Sequence, residues 1–126
     1  MEQDKETKIL NMQMLEARFR ELEEQLMLLE RQINELQVCS LAIDELKNMK
    51  KGNEMFAPIG PGMFVRAVFD DSDEVVIDTG ARTFVKKNRD DTRKFLQERL
   101  DKATAIHGKL MQEINLVVKA IEANSA

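Results

Sequence analysis

The chain has no Trp, no Tyr, one Cys and two Pro. Without Trp and Tyr it lacks the large amphipathic rings that serve as platforms for sugars or bases. The single Cys39 excludes an internal disulfide framework and any metal site built from several cysteines. A basic excess is missing too: 19 Lys+Arg stand against 23 Asp+Glu, a formal charge of -4, so neither nucleic acid nor an anionic membrane is a favoured partner. No apolar run exceeds the four residues Leu26 to Leu29, whereas a membrane span needs about 20 and a signal-peptide core about 7 to 15. These absences predict a cytosolic protein. With 126 residues, 43% hydrophobic and 33% charged, the chain has the size of one domain.

Breakers are unevenly spread. Both prolines and four of the five glycines fall between Gly52 and Gly80, with Gly108 alone in the flanks. The chain therefore reads as three parts: a helix over 6–51, a β segment over 54–87 and a helix over 88–124. In the first helix Met12, Leu15, Phe19, Leu22, Leu26, Leu29, Ile33 and Leu36 alternate steps of three and four, which is coiled-coil spacing. Beyond Leu36 the pattern reads as a slip to Cys39, Ile43, Leu46 and Met49, with Val38, Leu41 and Ala42 widening the face. Lys47, Lys50 and Lys51 suit the negative end of the helix dipole, and Gly52 suits a left-handed cap. The second helix opens with Asn88, Asp90 and Asp91 and continues the same spacing through Leu96, Leu100, Ala103, His107, Leu110, Ile114, Val117 and Ile121.

Helices of roughly 45 and 35 residues would be about 68 and 52 Å long. A globule of this chain length is only about 36 Å across. The expectation is an antiparallel coiled coil outside any compact core.

The middle segment changes period, with Val, Ile and Phe in short runs between turns. Four strands are expected: Met55 to Ile59, Met63 to Phe69, Glu74 to Thr79 and Arg82 to Lys87. Gly60-Pro61-Gly62, Asp70-Asp71-Ser72-Asp73 and Gly80-Ala81 form the turns. In the first two strands apolar residues occupy both faces: Met55, Ala57 and Ile59 with Phe56 opposite, then Met63, Val65, Ala67 and Phe69 with Phe64 and Val68 opposite. Four short strands cannot cover both faces and both edges of such a sheet within one chain, so other subunits should complete it. The fold class is α+β: a long antiparallel coiled coil with two β-hairpins between its helices, the hairpins joining a sheet or barrel shared between subunits.

This order of elements resembles an α-class prefoldin subunit. The most specific stretches are Phe56-Ala57-Pro58-Ile59-Gly60, Met63-Phe64-Val65-Arg66-Ala67, Glu74-Val75-Val76-Ile77-Asp78-Thr79-Gly80 and Phe84-Val85-Lys86-Lys87. They are similar to the family's four hairpin strands, where a β-class subunit has one hairpin. The Ala81-Arg82-Thr83 tract and the Lys87 end depart from the more acidic, aromatic family versions. The resemblance implies a hexamer of two α-class and four β-class subunits on a double β-barrel platform. It also implies ATP-independent capture of unfolded client proteins at the coil tips and delivery to a group II chaperonin, with no cofactor. The expected assembly residues are Phe56, Ile59, Phe64, Val65, Val75, Val76, Ile77 and Phe84.

A holdase needs exposed apolar surface that clients reach and leave. The tip offers Ile9, Leu10, Met12 and Met14 against Leu116, Val117, Val118 and Ile121, with Leu15 on the seam. The seam occupies only some of these at each level, which leaves Leu10, Met14, Leu116 and Val118 for a client, and Met side chains repack at low cost. The bland reading of any one of them is coiled-coil core.

Other residues carry less. His107 lies on the seam with no second His or nearby Cys, and reads as a satisfied or register-breaking polar residue rather than a metal ligand or base. Cys39 reads as a small buried hydrophobe. The acidic run Asp70 to Glu74 has Val75 where a calcium loop needs glycine and Ala81 where it needs glutamate, so it reads as a solvated turn. Gly60-Pro61-Gly62 has no helix behind it and is a hairpin turn, not a phosphate cradle. No Ser or Thr has the His partner of a nucleophile, so no enzyme and no metal site is expected. The competing reading is a structural protein whose hairpins build a homo-oligomer or filament, with the coils as spacers.

Overall fold

A computed structural model of the chain describes residues 2–71 and 73–125. The element order is α1 (Glu2–Glu45), a short 3-10 turn (Leu46–Asn48), β1 (Glu54–Gly60), β2 (Met63–Val68), β3 (Glu74–Asp78), β4 (Phe84–Asn88) and α2 (Arg89–Ser125). Two compact units result: a helix pair up to Leu36 and from Arg99 onward, and a helix–hairpin unit over Gln37–Glu98.

In the helix pair the alternating spacing is the packing seam. Leu22 is fully buried, and Leu29, Ala103 and Ile114 are buried beside it. Met12, Leu15, Phe19, Leu26, Ile33 and Leu36 are half-buried at the intervening seam positions. Arg18 Nη2 meets Glu113 Oε2 at 3.0 Å, and Asn124 Nδ2 donates to the Lys8 carbonyl at 3.0 Å, which sets the helices antiparallel. Asn124 continues the α2 spacing three residues after Ile121, and a polar residue in a seam fixes register at some cost in stability.

In the helix–hairpin unit the seam runs on differently from the expected slip. Ser40 is half-buried and Cys39 is exposed, so the step after Leu36 is four and the next, to buried Ile43, is three. The heptad phase, not residue hydrophobicity, decides which side chain faces inward. α1 also ends at Glu45 rather than Lys51, because the chain tightens into the 3-10 turn and Met49 is extended (φ -91°, ψ 141°). Gly52 does take a left-handed φ of +89°, but in a turn held by Asn53, whose side chain accepts from the Lys50 N–H at 2.7 Å. The lysines therefore follow the helix instead of capping it.

The strands form two separate two-stranded antiparallel sheets, β1–β2 and β3–β4. The first pairs Met55 with Ala67 and Ala57 with Val65 on one face, and Phe56 with Arg66 and Pro58 with Phe64 on the other. Pro58, which lacks an N–H, sits beside a register irregularity in an edge strand, where the ladder tolerates it. Pro61 and Gly62 (φ +69°) occupy the central turn positions that suit a type II turn. Past β2, Phe69 is buried, and it pairs through its backbone with Gly52 and Asn53 (2.8 and 2.9 Å).

The second hairpin pairs Val75 with Lys87 and Ile77 with Val85. These four are half-buried, and buried Ile43, Thr92 and Leu96 complete the core of this unit. Val75 and Ile77 line an apolar hollow of ≈ 290 Å³ with Cys39, Ile43, Phe95 and Leu96. The turn spans Thr79 to Thr83, closed by a 3.0 Å backbone bond, with Gly80, Ala81 and Arg82 at φ +95°, +49° and +61°. Arg82 thus belongs to the turn rather than to β4, because a left-handed residue cannot continue a strand. α2 starts as expected, with Asn88 Oδ1 accepting from the Asp91 N–H at 2.7 Å, an N-cap bond.

Candidate functional site

The apolar residues that the chain does not cover fall into two groups, each inside one unit. In the helix–hairpin unit, Phe56 (66% exposed), Ile59, Phe64 (60%) and Val65 lie open on the first hairpin. Val76 and Phe84 lie open on the second. Phe56 and Phe64 sit on the same face of their hairpin, one on each strand, and together line an open hollow. Val75 and Ile77 are different. They are half-buried where Val76 is 57% exposed, so strand alternation divides the apolar run Val75-Val76-Ile77 into one more open and two more covered residues. Met63 and Val68 are also exposed and enlarge the open surface of the first hairpin. Their strand positions were readable, but nothing in the pattern ranked them above their neighbours.

The acidic run after β2 has more structure than a solvated turn. Arg89, only 16% exposed at its side chain, lies 3.4 Å from Asp71 Oδ1 and 3.7 Å from Asp73 Oδ1. Its guanidinium lies over the Phe69 ring at 5.5 Å, a cation–π arrangement. The first residue of α2 thus ties down the loop between the hairpins. Ser72, in the same run, lies outside the described residues. Among the described residues no group of three or more His, Cys, Asp or Glu side chains is placed to hold a metal ion.

In the helix pair, Ile9, Leu10, Met14 and Leu116 are exposed by 56–66%. Met12, Val117, Val118 and Ile121 are half-buried, Met12, Val117 and Ile121 at seam positions. Val118 therefore offers less surface than expected, because it borders the seam. Asn11, Met14, Leu15, Ala120, Ala123 and Asn124 line a shallow groove of ≈ 530 Å³ at this end of the coil. The alanines make the groove, since methyl groups leave room where longer side chains would close it. Farther along, Met27, Leu28 and Ile106 are exposed as well, outside the seam. His107 is half-buried with Nε2 3.2 Å from Glu30 Oε1, a partnered polar residue at a seam position.

This combination of a helix pair with two separate hairpins has known counterparts. The prefoldin subunit family model matches residues 15–125. The chain belongs to the prefoldin family. Prefoldin subunit alpha of Thermofilum pendens is 26% identical over 101 residues, 80% of this chain and 78% of that protein. Prefoldin subunit alpha of Methanobrevibacter smithii is 28% identical over 111 residues, 82% of this chain and 73% of that one. Prefoldin subunit alpha 1 of Thermococcus kodakarensis is 32% identical over 88 residues, 70% of this chain and 60% of the relative. The cryo-EM structure of filamentous PFD from Methanocaldococcus jannaschii superposes with a TM-score of 0.76 at 20% identity, covering 88% of this chain and 92% of that one, a likeness of fold. The protein is thus a prefoldin-type chaperone subunit, with two hairpins and a coiled coil. Among the described residues no helix is long and apolar enough to cross a membrane.

Proposed function

We propose that this prefoldin subunit is an ATP-independent holdase that captures unfolded proteins at the coil end bearing Ile9, Leu10, Met12, Met14, Leu116, Val117, Val118 and Ile121, and passes them to a group II chaperonin. One observation carries the reading: in a prefoldin subunit, Leu10, Met14 and Leu116 stay exposed beside a seam that is already filled. Exposed apolar surface of this kind favours an interaction site. The exposed hairpin residues Phe56, Ile59, Phe64, Val65, Val76 and Phe84 join β-class subunits, two α-class chains combining with four β-class chains, in the cytoplasm. Two-stranded ribbons are marginal alone, and partner strands supply both the missing ladder bonds and the apolar cover.

The test removes residues 1–14 and 115–126 and follows aggregation of a denatured client by light scattering. Suppression of aggregation should disappear with the tips. Suppression that survives the deletion removes the tip mechanism. The alternative is a homo-oligomer or filament built through the hairpins, and the Methanocaldococcus jannaschii neighbour is a filamentous PFD. Under that reading the chain alone reaches high mass, whereas under the first it does so only when mixed with a single-hairpin subunit.

A further inference from the structure

The seam divides the helix pair into two unlike flanks. Numbered as heptads with Met12 and His107 at a and Leu15 and Leu110 at d, the coil carries positions e and b on one flank and g and c on the other. Two contacts fix this assignment. Glu30 at e reaches His107 across the first flank at 3.2 Å, and Arg18 and Glu113, both at g, meet across the second at 3.0 Å. The groove lies wholly on the second flank, with Asn11 and Ala120 at g, Met14 and Ala123 at c, and Leu15 and Asn124 at d beneath them.

The charges separate in the same way. Between Asp4 and Arg18 on α1, and from Leu116 to the end of α2, the g and c positions are Thr7, Asn11, Met14, Leu116, Ala120 and Ala123, with no charge among them. The opposite flank carries Glu6, Glu16 and Glu122 over the same span, with Arg20 4.0 Å from Glu16. A charged client side chain laid in the groove loses water and gains no counter-ion from the groove's own lining. An acidic segment on the other flank meets like charge. The uncharged stretch from Thr7 to Met14 rises about 10 Å, the length of about three extended residues.

We infer that client capture is one-sided: the groove between Met14, Ala120 and Ala123, bordered by Leu116, takes a short extended segment of apolar residues without net charge, and the glutamate-lined flank does not bind it. This rests on the chaperone reading and adds the chemistry of the segment and the side on which it lies. Met14 and Leu116 are 64% and 66% exposed, and Gln13, at b on the glutamate flank, is exposed as well, so charge at any of the three positions should burden folding little.

The probe is a neutral Leu/Gln hexapeptide carrying a nitrobenzoxadiazole label, with counterparts bearing a central Glu or Lys, titrated into the full chain and followed by fluorescence anisotropy. Met14→Glu and Leu116→Glu should each weaken the neutral peptide at least about tenfold, while Gln13→Glu changes it less than about twofold. Both charged peptides should bind the unmodified chain about tenfold more weakly than the neutral one. Equal losses at Gln13 and Met14, charged peptides that bind as well as the neutral one, or no binding of the neutral peptide would each overturn the inference. The terminal deletion separates this from the broader reading. If deletion abolishes client protection while Met14→Glu leaves peptide binding intact, one-sidedness fails and tip capture stands. Protection that survives deletion removes tip capture itself.

Discussion

The helix pair and the first hairpin are built from the same kinds of apolar residue and treat them in opposite ways. In the helix pair, Leu22 is 0% exposed and Leu29 and Ile114 are 9% exposed, all covered by the same chain. In the hairpin, Phe56 and Val68 are each 66% exposed. The cause is geometric. A helix with a single apolar stripe is satisfied by one partner helix, which α2 supplies, whereas a two-stranded ribbon has two faces and two open edges. The coil's apolar stripe is therefore covered by the chain itself, whereas the hairpin's apolar surface is left uncovered by it.

Phe64→Glu bears on this contrast with the largest expected effect. Its side chain is already in water, so the melting temperature of the isolated chain should hardly move, while association with a single-hairpin subunit is lost because a charge would enter a dry interface unpaired. Mass measurement of the mixture reads the outcome. If the variant still assembles, the exposed face of the first hairpin is not the interface.

Leu22→Ala should act in the reverse sense. Truncating a fully buried leucine costs about 3 kcal/mol through lost burial and a residual cavity, and denaturant unfolding of the chain alone should show it. Assembly through the hairpins should survive at temperatures where the variant is folded. A loss below about 1 kcal/mol would mean that the seam repacks freely, and that the coil is less intrinsically determined than its burial implies.

The same contrast explains what was legible beforehand. The coil could be read from spacing because a seam repeats eight times in α1, and each repeat constrains the next. The hairpins could be read from alternation and from Gly60-Pro61-Gly62, whose residue types suit few conformations. Features set by contacts between distant residues could not be read. Cys39 is more apolar than Ser40, yet phase turns Ser40 inward. Arg89 looks like one more charge at a helix start, and only the fold brings Phe69, Asp71 and Asp73 to it. Val75 and Ile77 match Val76 in composition, and only the fold shows the first two half-buried and Val76 exposed. The groove at the coil end escaped notice because alanines attract no attention in a hydrophobic count, although their smallness is what opens it.

His107 supplies the smallest and sharpest test of the coil's independence. It occupies a seam position, one-third exposed at its side chain, and its partner Glu30 is more exposed still, so the contact lies near the surface and is worth little. Leucine at this position would bury apolar area against the facing helix and lose only that exposed contact. His107→Leu should therefore stabilise the isolated chain by about 0.5–1 kcal/mol, since a fully buried leucine contributes about 1.5–3 kcal/mol and this site covers it in part. Denaturant midpoints of the two proteins at equal slope would show the gain, and assembly with a partner subunit should be unaffected. A loss of stability instead would mean that the His107–Glu30 pair holds the helices in register, a role that Asn124 and its bond to the Lys8 carbonyl would then not fill alone.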